Sequence, residues 1–286
     1  MRDASVTKVA ILKGPNPSEM TVKALEMVEA NRVIPVQKPV LVKPNYINTQ
    51  HPSTGITTDA RVIDGVLAFL RQCGIRKMII GEGTGFGDTL EAFNVAGVDL
   101  VARKWKARMV DLNEDEFVEI IPRNPLALKK VKIAKTALES TIISVAKLKP
   151  HRLAGVTLSM KNMMGVVTRK ASIHVHLSQK IVDLVSVVRP SLAVIDGIIA
   201  GEGHETSGDP VEMNLVIAGT DPVAVDAVGA AVMGIPPENV RHLRLAEKKG
   251  LGTCGLDRIE ILGQPLEKVV RKFRTSVAGK LLSTLD

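Results

Sequence analysis

The densest run of chemically able side chains is AKLKPHRLAGVTLSMKNMMGVV, residues 146 to 167. Lys147 and Lys149 alternate along what reads as an extended stretch, so both ammonium groups fall on one side and can reach one anion; His151 follows at the same spacing. Val156, Leu158 and Met160 then alternate inward ahead of Lys161, Asn162 and Gly165. Donors separated by apolar anchors describe a pocket, because an open basic face would carry Ser and Thr where this one carries Val, Leu and Met. The plainer account is a row of edge lysines with a turn asparagine. In the pocket account Lys161 stabilises developing negative charge, and His151 or His174 moves a proton. His174 and His176 stand just before a helix beginning near Leu177, where a histidine also serves a structural end.

Two further stretches offer ligand contacts. Lys43-Pro44-Asn45-Tyr46 follows the apolar run PVLVK and puts an ammonium and a carboxamide at a strand end, ready to hold an anion together with Lys147, Lys149 and Asn162. The alternative is a Lys43 that snorkels to solvent and an Asn45 that closes a turn. GEGTGFGD carries Gly81, Gly83, Gly85 and Gly87, but Phe86 takes the third glycine position of a dinucleotide fingerprint. The glycines still let a ligand approach the backbone, or simply make a flexible turn.

Charge is strongly segregated along the chain. The formal net charge is +8, yet residues 123 to 180 hold twelve Lys or Arg against the single acid Glu139, and residues 195 to 226 hold seven acids with no Lys or Arg. A basic block is a footprint for phosphates on a small ligand or on nucleic acid, or a solvated face; KKVKIAK, residues 129 to 135, reads as a lysine-protected edge strand. In the acidic block Asp196 ends the strand SLAVI and Glu202 precedes Gly203-His204. Asp221-Pro222 has the form of a helix cap with Pro at the first helical position. Asp226 sits among Pro222, Val223, Gly229 and Ala230 on an apolar helix face, so it must be paired, and a lysine of the basic block is the simplest partner. Glu247, by contrast, reads as a surface acid. Asp196, Glu202 and Asp226 are thus pairing or supporting residues. No tight DxD-type loop is present; no metal is assigned, and the cofactor is left open.

The elements that must position these groups are short β-branched runs (VTKVAIL, PVLVK, RKMIIGEG, TIISVAK, SLAVIDG, NLVIAG) alternating with helical patterns near 18–31, 59–73, 176–187, 221–233, 238–249 and 265–275. Thr58 is expected to cap the second of these helices, with Asp59 in its first turn and Gly74 as its stop. That alternation predicts an α/β fold, a mainly parallel sheet covered by helices on both faces, as one domain over 1–286 or two interleaved lobes, 1–140 and 141–286. Ligands in such folds sit at the carboxyl ends of strands, where the residues above fall. Hydrophobic residues are 45% and aromatic residues 2% of the chain, which excludes sites built on stacked rings, including single-strand nucleic-acid platforms. Cys73 and Cys254 form no CxxC, so no disulfide framework or cysteine cluster is expected. The first residues are too short an apolar run for a signal peptide, and Leu184 to Ala200 is interrupted by Arg189, Pro190 and Asp196, so the expectation is a cytoplasmic protein without a membrane span.

VLVKPN, the TTD before the helix, KLKPH followed by TLSMKNMMG, the IDG after a strand and AGTDPVAVDAVGAAVMG together resemble the family called domain of unknown function 362, over roughly residues 7 to 262. The resemblance implies an α/β protein of one or two lobes, some of whose relatives carry ferredoxin-type cysteine clusters. Two scattered cysteines depart from that pattern, and so does Glu202-Gly203-His204, where relatives tend to have Gly-Pro after the glutamate; His204 is thereby left able to face a substrate. Residues and resemblance together give three functional expectations. The first is an enzyme acting on a small carboxylated or phosphorylated metabolite, its reaction an isomerisation, a lyase step or a linked reduction. The second is a non-catalytic protein that binds an anionic ligand or cofactor. A nucleic-acid-binding protein is the third and is counted against by the apolar alternation and scarce aromatics. The expected partner is a small anion, not a specific nucleic acid or a membrane, and the reading leaves room for a homodimer.

Overall fold

The computed structural model describes residues 6–276. Twelve strands run in chain order: β1 (Thr7–Lys13), β2 (Val40–Lys43), β3 (Met78–Glu82), β4 (Arg108–Asp111), β5 (Phe117–Ile120), β6 (Val131–Ala134), β7 (Thr141–Lys147), β8 (Pro150–His151), β9 (Gly155–Val156), β10 (Leu192–Glu202), β11 (Asp209–Gly219) and β12 (Ile259–Gly263). The helices are α1 (Pro17–Met27), α2 (Ala60–Gln72), α3 (Thr89–Val95), α4 (Val98–Trp105), α5 (Lys135–Glu139), α6 (Leu158–Asn162), α7 (Leu177–Val187), α8 (Pro222–Val232) and α9 (Arg241–Lys248).

Eight strands form one sheet in the order β12-β1-β11-β10-β7-β2-β3-β4. Strands β10, β7, β2, β3 and β4 pair in parallel, as β1 does with β12, and β11 is antiparallel to both β1 and β10. The fold is therefore α/β with a mostly parallel sheet. Strands from both halves of the chain are interleaved within it. Side-chain alternation sorts the core into two layers: Leu41, Ile142, Ala193 and Ile195 pack with α6, α7, α8 and α9, whereas Val42, Ile143, Val145 and Val194 pack with α1, α2, α3 and α4. Burial on both faces explains why these strands read as continuous β-branched runs.

Several local expectations change. NLVIAG is not a parallel strand but the second arm of a hairpin with β10, and β10 continues past Asp196 through an irregularity between Gly197 and Ile199 to Glu202. The helix expected over 265–275 is only a short turn at Leu266–Lys268. Asp59, rather than Thr58, caps α2 by accepting from Arg61 N. Thr58 instead ties loops together: its Oγ accepts from Asn45 N at 2.8 Å and donates to Val145 O at 2.9 Å, and its carbonyl accepts from the Tyr46 hydroxyl at 2.9 Å. The extended reading of residues 146–167 is broken by a turn over Arg152–Ala154, which makes β8 and β9 an antiparallel hairpin, and beyond Thr157 the chain enters α6 and then a tight turn over Met163–Val166. Lys129, Lys130 and Lys132 are exposed while Val131 and Ile133 are buried, so β6 does carry the lysine edge.

Candidate functional site

Because β2, β3, β7 and β10 are parallel neighbours, their carboxyl ends share one rim of the sheet. The chain leaving each strand contributes to a cleft of about 310 Å³ there. Lys43, Asn45 and Tyr46 come from the end of β2, Glu82, Gly83 and Gly85 from β3, Lys149, His151 and Arg152 from beyond β7, and His204, Glu205 and Thr206 from beyond β10. The α6 region adds Lys161, Asn162 and Gly165, and Lys170 and His174 close the rim.

The lysines are not equivalent. Lys43 commits its amine to Glu82 Oε1 at 2.6 Å, Pro44 O at 2.8 Å and Asn162 Oδ1 at 2.9 Å, so all three donors are used within the protein. Burial lowers its pKa, and Glu82 opposes that shift. Glu82 in turn accepts from Tyr46 N and Gly83 N, each at 2.8 Å. Lys149 holds the carbonyls of Ile56 at 2.7 Å and Glu205 at 3.0 Å, and its pKa is driven well down by burial first, then by Lys161 and Lys147. Lys170 is bonded to Asn113 Oδ1. Lys161 makes no hydrogen bond or ion pair among the described residues; burial lowers its pKa from 10.5 to about 8, against the pull of Glu205 and with the push of Lys43. Its amine is the one lysine donor of the cleft with no protein acceptor.

Lys147 does not join them. It lies wholly buried against Asp196 at 2.9 Å, a carboxylate that also accepts from Asp59 N and Ile198 N, so the expected convergence of Lys147 and Lys149 on one anion is corrected. The two ammonium groups take different partners, Lys147 the Asp196 carboxylate and Lys149 the carbonyls of Ile56 and Glu205. Asn162 is equally occupied, accepting from Lys43 and donating to Lys43 O and Ser144 Oγ at 3.0 Å each, which makes it a brace. Asn45 differs. Its Nδ2 leans on Asn162 Oδ1 at 3.5 Å, and among the described residues its buried Oδ1 accepts from no donor, which leaves an unpaired acceptor on the cleft lining.

Hydrogen bonding fixes the histidines' tautomers. His151 Nδ1 accepts from Leu153 N and Ala154 N at 3.1 Å each, so its proton is on Nε2, 3.6 Å from Glu205 Oε1. Burial pushes its pKa well below 6.5, with Lys161 and Lys149 adding to the shift. A neutral ring with Nδ1 occupied has no lone pair to offer at Nε2, so His151 faces the cleft as a donor. His204 Nδ1 likewise accepts from Thr206 N at 3.3 Å. His174 is the reverse case: Nδ1 donates to Ala171 O at 3.3 Å and Nε2 keeps its lone pair. Glu205, bonded to Arg152 Nε at 3.1 Å, is the carboxylate at this end of the cleft. Glu82, Glu205, Arg152 and Lys170 were not singled out from sequence; Glu82 and Glu205 had a usable signal in each standing beside glycines just past a strand.

The supporting acids act at a distance. Asp226 is fully buried, but it pairs with backbone, not with a lysine: its two oxygens accept from Ser159 N at 2.7 Å and Met160 N at 2.8 Å. Burial raises its pKa to about 8, opposed by those two donors. This clamp holds the first turn of α6, where Leu158 has φ +28°, a strained conformation for a leucine. Gly229 lets α6 approach α8, since a Cβ there would lie 2.7 Å from Ile195 and 3.0 Å from Leu158. Glu202 pairs with Arg274 at 3.1 Å, away from the cleft. Its carboxyl is also held by Arg274 N, which together with the guanidinium lowers its pKa against burial.

This rim of lysines, capped loops and Asp226 clamp is encoded by the stretches that carry the family likeness, and the family profile described as Domain of unknown function (DUF362) matches residues 40–231. The chain belongs to that family. It is also 24% identical to a thylakoid-associated protein of Synechocystis sp., over 82% of this chain and 75% of that one. No solved structure gives a significant match. The cysteine clusters carried by some members of the family do not fit here. Cys73 ends α2, and the buried Cys254 thiol donates to Glu247, with burial and that carboxylate raising its pKa to about 11. Among the described residues no helix is long and apolar enough to cross a membrane.

Proposed function

We propose that this member of the DUF362 family is an enzyme that takes a small carboxylated or phosphorylated metabolite into the cleft at the carboxyl ends of β2, β3 and β7. The observation that carries the reading is the Lys161 amine, half-buried in a cleft with Lys149, Arg152 and Lys170 and matched by no acceptor among the described residues. A partly desolvated cation without an acceptor is unfavourable, and an incoming anion offsets that cost. Lys149, Arg152 and Lys170 supply the surrounding positive field, while Lys161 stabilises negative charge as it develops on the substrate. Asn45 Oδ1 accepts from a substrate hydroxyl, and His174, through Nε2, moves the proton. Lys43 and Asn162 brace the rim from behind. Two unpaired thiols fit a reducing compartment, so we propose the cytoplasm as its place of action.

Thermal denaturation against a panel of carboxylates and phosphates, with citrate and glycerol phosphate among them, tests the reading. At least one anion is expected to raise the midpoint of the wild type and to bind Lys161→Met about tenfold more weakly, the worth of one charge-assisted hydrogen bond. Affinity should fall as pH rises through about 8, where Lys161 loses its proton. An anion that binds under all conditions without turnover returns the non-catalytic alternative. No shift from any anion sinks both.

A further inference from the structure

Resting on that reading, we propose that Lys161 is an amine nucleophile that joins the carbonyl carbon of its anionic substrate as an imine, which makes the substrate class an oxo acid or a phosphorylated aldehyde or ketone.

The argument begins with which amines are free. A lysine adds to a carbonyl only through an unprotonated nitrogen whose lone pair is not engaged. Lys43, Lys149 and Lys170 are each fastened to protein acceptors, and Lys147 is sealed against Asp196. Among the described lysines Lys161 alone brings an unengaged nitrogen to the cleft, on a helix clamped by Asp226 at its first turn. Its surroundings favour the neutral amine: partial burial disfavours the charge, the Lys43 cation adds to that against the opposing pull of Glu205, and Met164 and Ile47 give the cleft apolar wall. Arg152 and Lys170, which also line the cleft, are the groups left to hold the substrate's anionic end.

The bonds balance without any further reagent. The nitrogen lone pair forms the C–N bond as the C=O π pair moves to oxygen, and a proton passes from nitrogen to that oxygen to give a carbinolamine. Loss of the hydroxyl as water, with the remaining N–H proton, leaves C=N. His174 Nε2, whose lone pair is left free by the Nδ1 bond to Ala171, can take the proton from nitrogen and return it to oxygen. His151 and His204 cannot accept at Nε2, since each has Nδ1 engaged as acceptor.

The test is reductive trapping. The full chain is incubated with glyoxylate or with glyceraldehyde phosphate plus cyanoborohydride, and the modified lysine is located by peptide mass spectrometry. One of the two probes is expected to label Lys161 on the order of tenfold faster than the mean of the other lysines, because a far larger share of this amine is neutral at pH 8. The rate should climb through about pH 8 and then level. Which probe labels decides between a carboxylate and a phosphate as the anchoring group. Lys161→Arg keeps a cation and should abolish the fast adduct. Oxalate and inorganic phosphate, which bind without a reactive carbonyl, serve as the anion controls by thermal shift. If they stabilise the protein but labelling is uniform over the surface lysines, or persists in Lys161→Arg, the imine is overturned and the anion site stands. If neither the controls nor the probes stabilise or label, the anion reading falls and takes this inference with it.

Discussion

At the scale of single residues, Lys161 is a half-buried cation with no acceptor among the described residues, a cost to the fold that Glu205 offsets in part. Its pKa drops from 10.5 to about 8 on folding, so below about pH 8 both folded and unfolded chains hold the proton and the folded one bears the whole cost. Between 8 and 10.5 the native amine deprotonates first, and stability rises across that window. Lys161→Met is therefore expected to stabilise the protein at neutral pH, by roughly 1–3 kcal/mol, with the gain shrinking as pH approaches the unfolded value. Urea midpoints at several pH values check it; a destabilised variant at pH 7 would mean the ammonium has a partner after all. Asp226 behaves oppositely. Removing it leaves the Ser159 and Met160 N–H groups buried without an acceptor, so Asp226→Ala is expected to cost about 2–4 kcal/mol, against less than about 0.5 for the exposed Glu238→Ala. Equal midpoints would show that Asp226 does not clamp α6. Glu247 is unsuited as the surface control, because it accepts from Thr253, Cys254 and Arg258, which draw its pKa down to about 2 despite partial burial.

At the scale of elements, the site depends on how closely the turn after α6 meets the end of β3. A Cβ on Gly165 would lie 2.2 Å from Glu82 Oε1 and 2.5 Å from Lys43 Cε, and one on Gly83 would lie 2.4 Å from Gly165 O. Glycine is required there by proximity rather than by φ. Gly165→Ala must therefore push apart a buried ion pair, with an expected cost of about 2–4 kcal/mol and a loss of anion binding, both readable in one thermal-shift series. An unchanged midpoint would place the turn farther from Glu82. The central strands were legible because burial on both faces demands β-branched runs, and α8 because its Asp221-Pro222 cap and apolar spacing agree, whereas the half-exposed edge strands β4, β5 and β12 carry no such run. What escaped reading has physical causes. Val156, Leu158 and Met160 fit a period of two, but α6 is a single turn, too short to display its own period. Asp226 was rightly marked as needing a partner, but backbone N–H groups carry no letter in a sequence, so a lysine was named. Lys147 and Lys149 were placed on one anion by spacing alone, and Asp196 and the carbonyls of Ile56 and Glu205 claim them separately. Lys161, singled out by its place after the apolar run, does line the cleft, while Glu82 and Glu205 depend on pairings 39 and 54 residues apart from Lys43 and His151 that no local window contains.

At the scale of the molecule, the basic block is broken up by folding. Lys147, Lys149 and Lys161 are turned into the interior or the cleft, Lys130 and Lys135 pair with Glu119 and Glu116 across the β5–β6 hairpin, and Arg152 is held by Glu205. Segregation along the sequence thus becomes, in part, local pairing in space. Affinity for a polyanion grows with the number of phosphates neutralised together, each contributing steeply to the salt dependence. A cleft of about 310 Å³ can neutralise one small anion and little of a strand. Stacking offers no compensation, since Phe86 is the sole aromatic ring at the mouth besides the buried Tyr46. Fluorescence anisotropy with labelled single- and double-stranded oligonucleotides is therefore expected to show only weak binding at low ionic strength, abolished near physiological salt. Citrate or glycerol phosphate should keep its effect on the thermal midpoint under the same conditions, because a buried pair is screened far less than an exposed one. Sequence-independent binding that survives physiological salt would mean that the exposed lysines of β6 and the rim arginines act together, and the single-anion cleft would lose its claim to the positive charge.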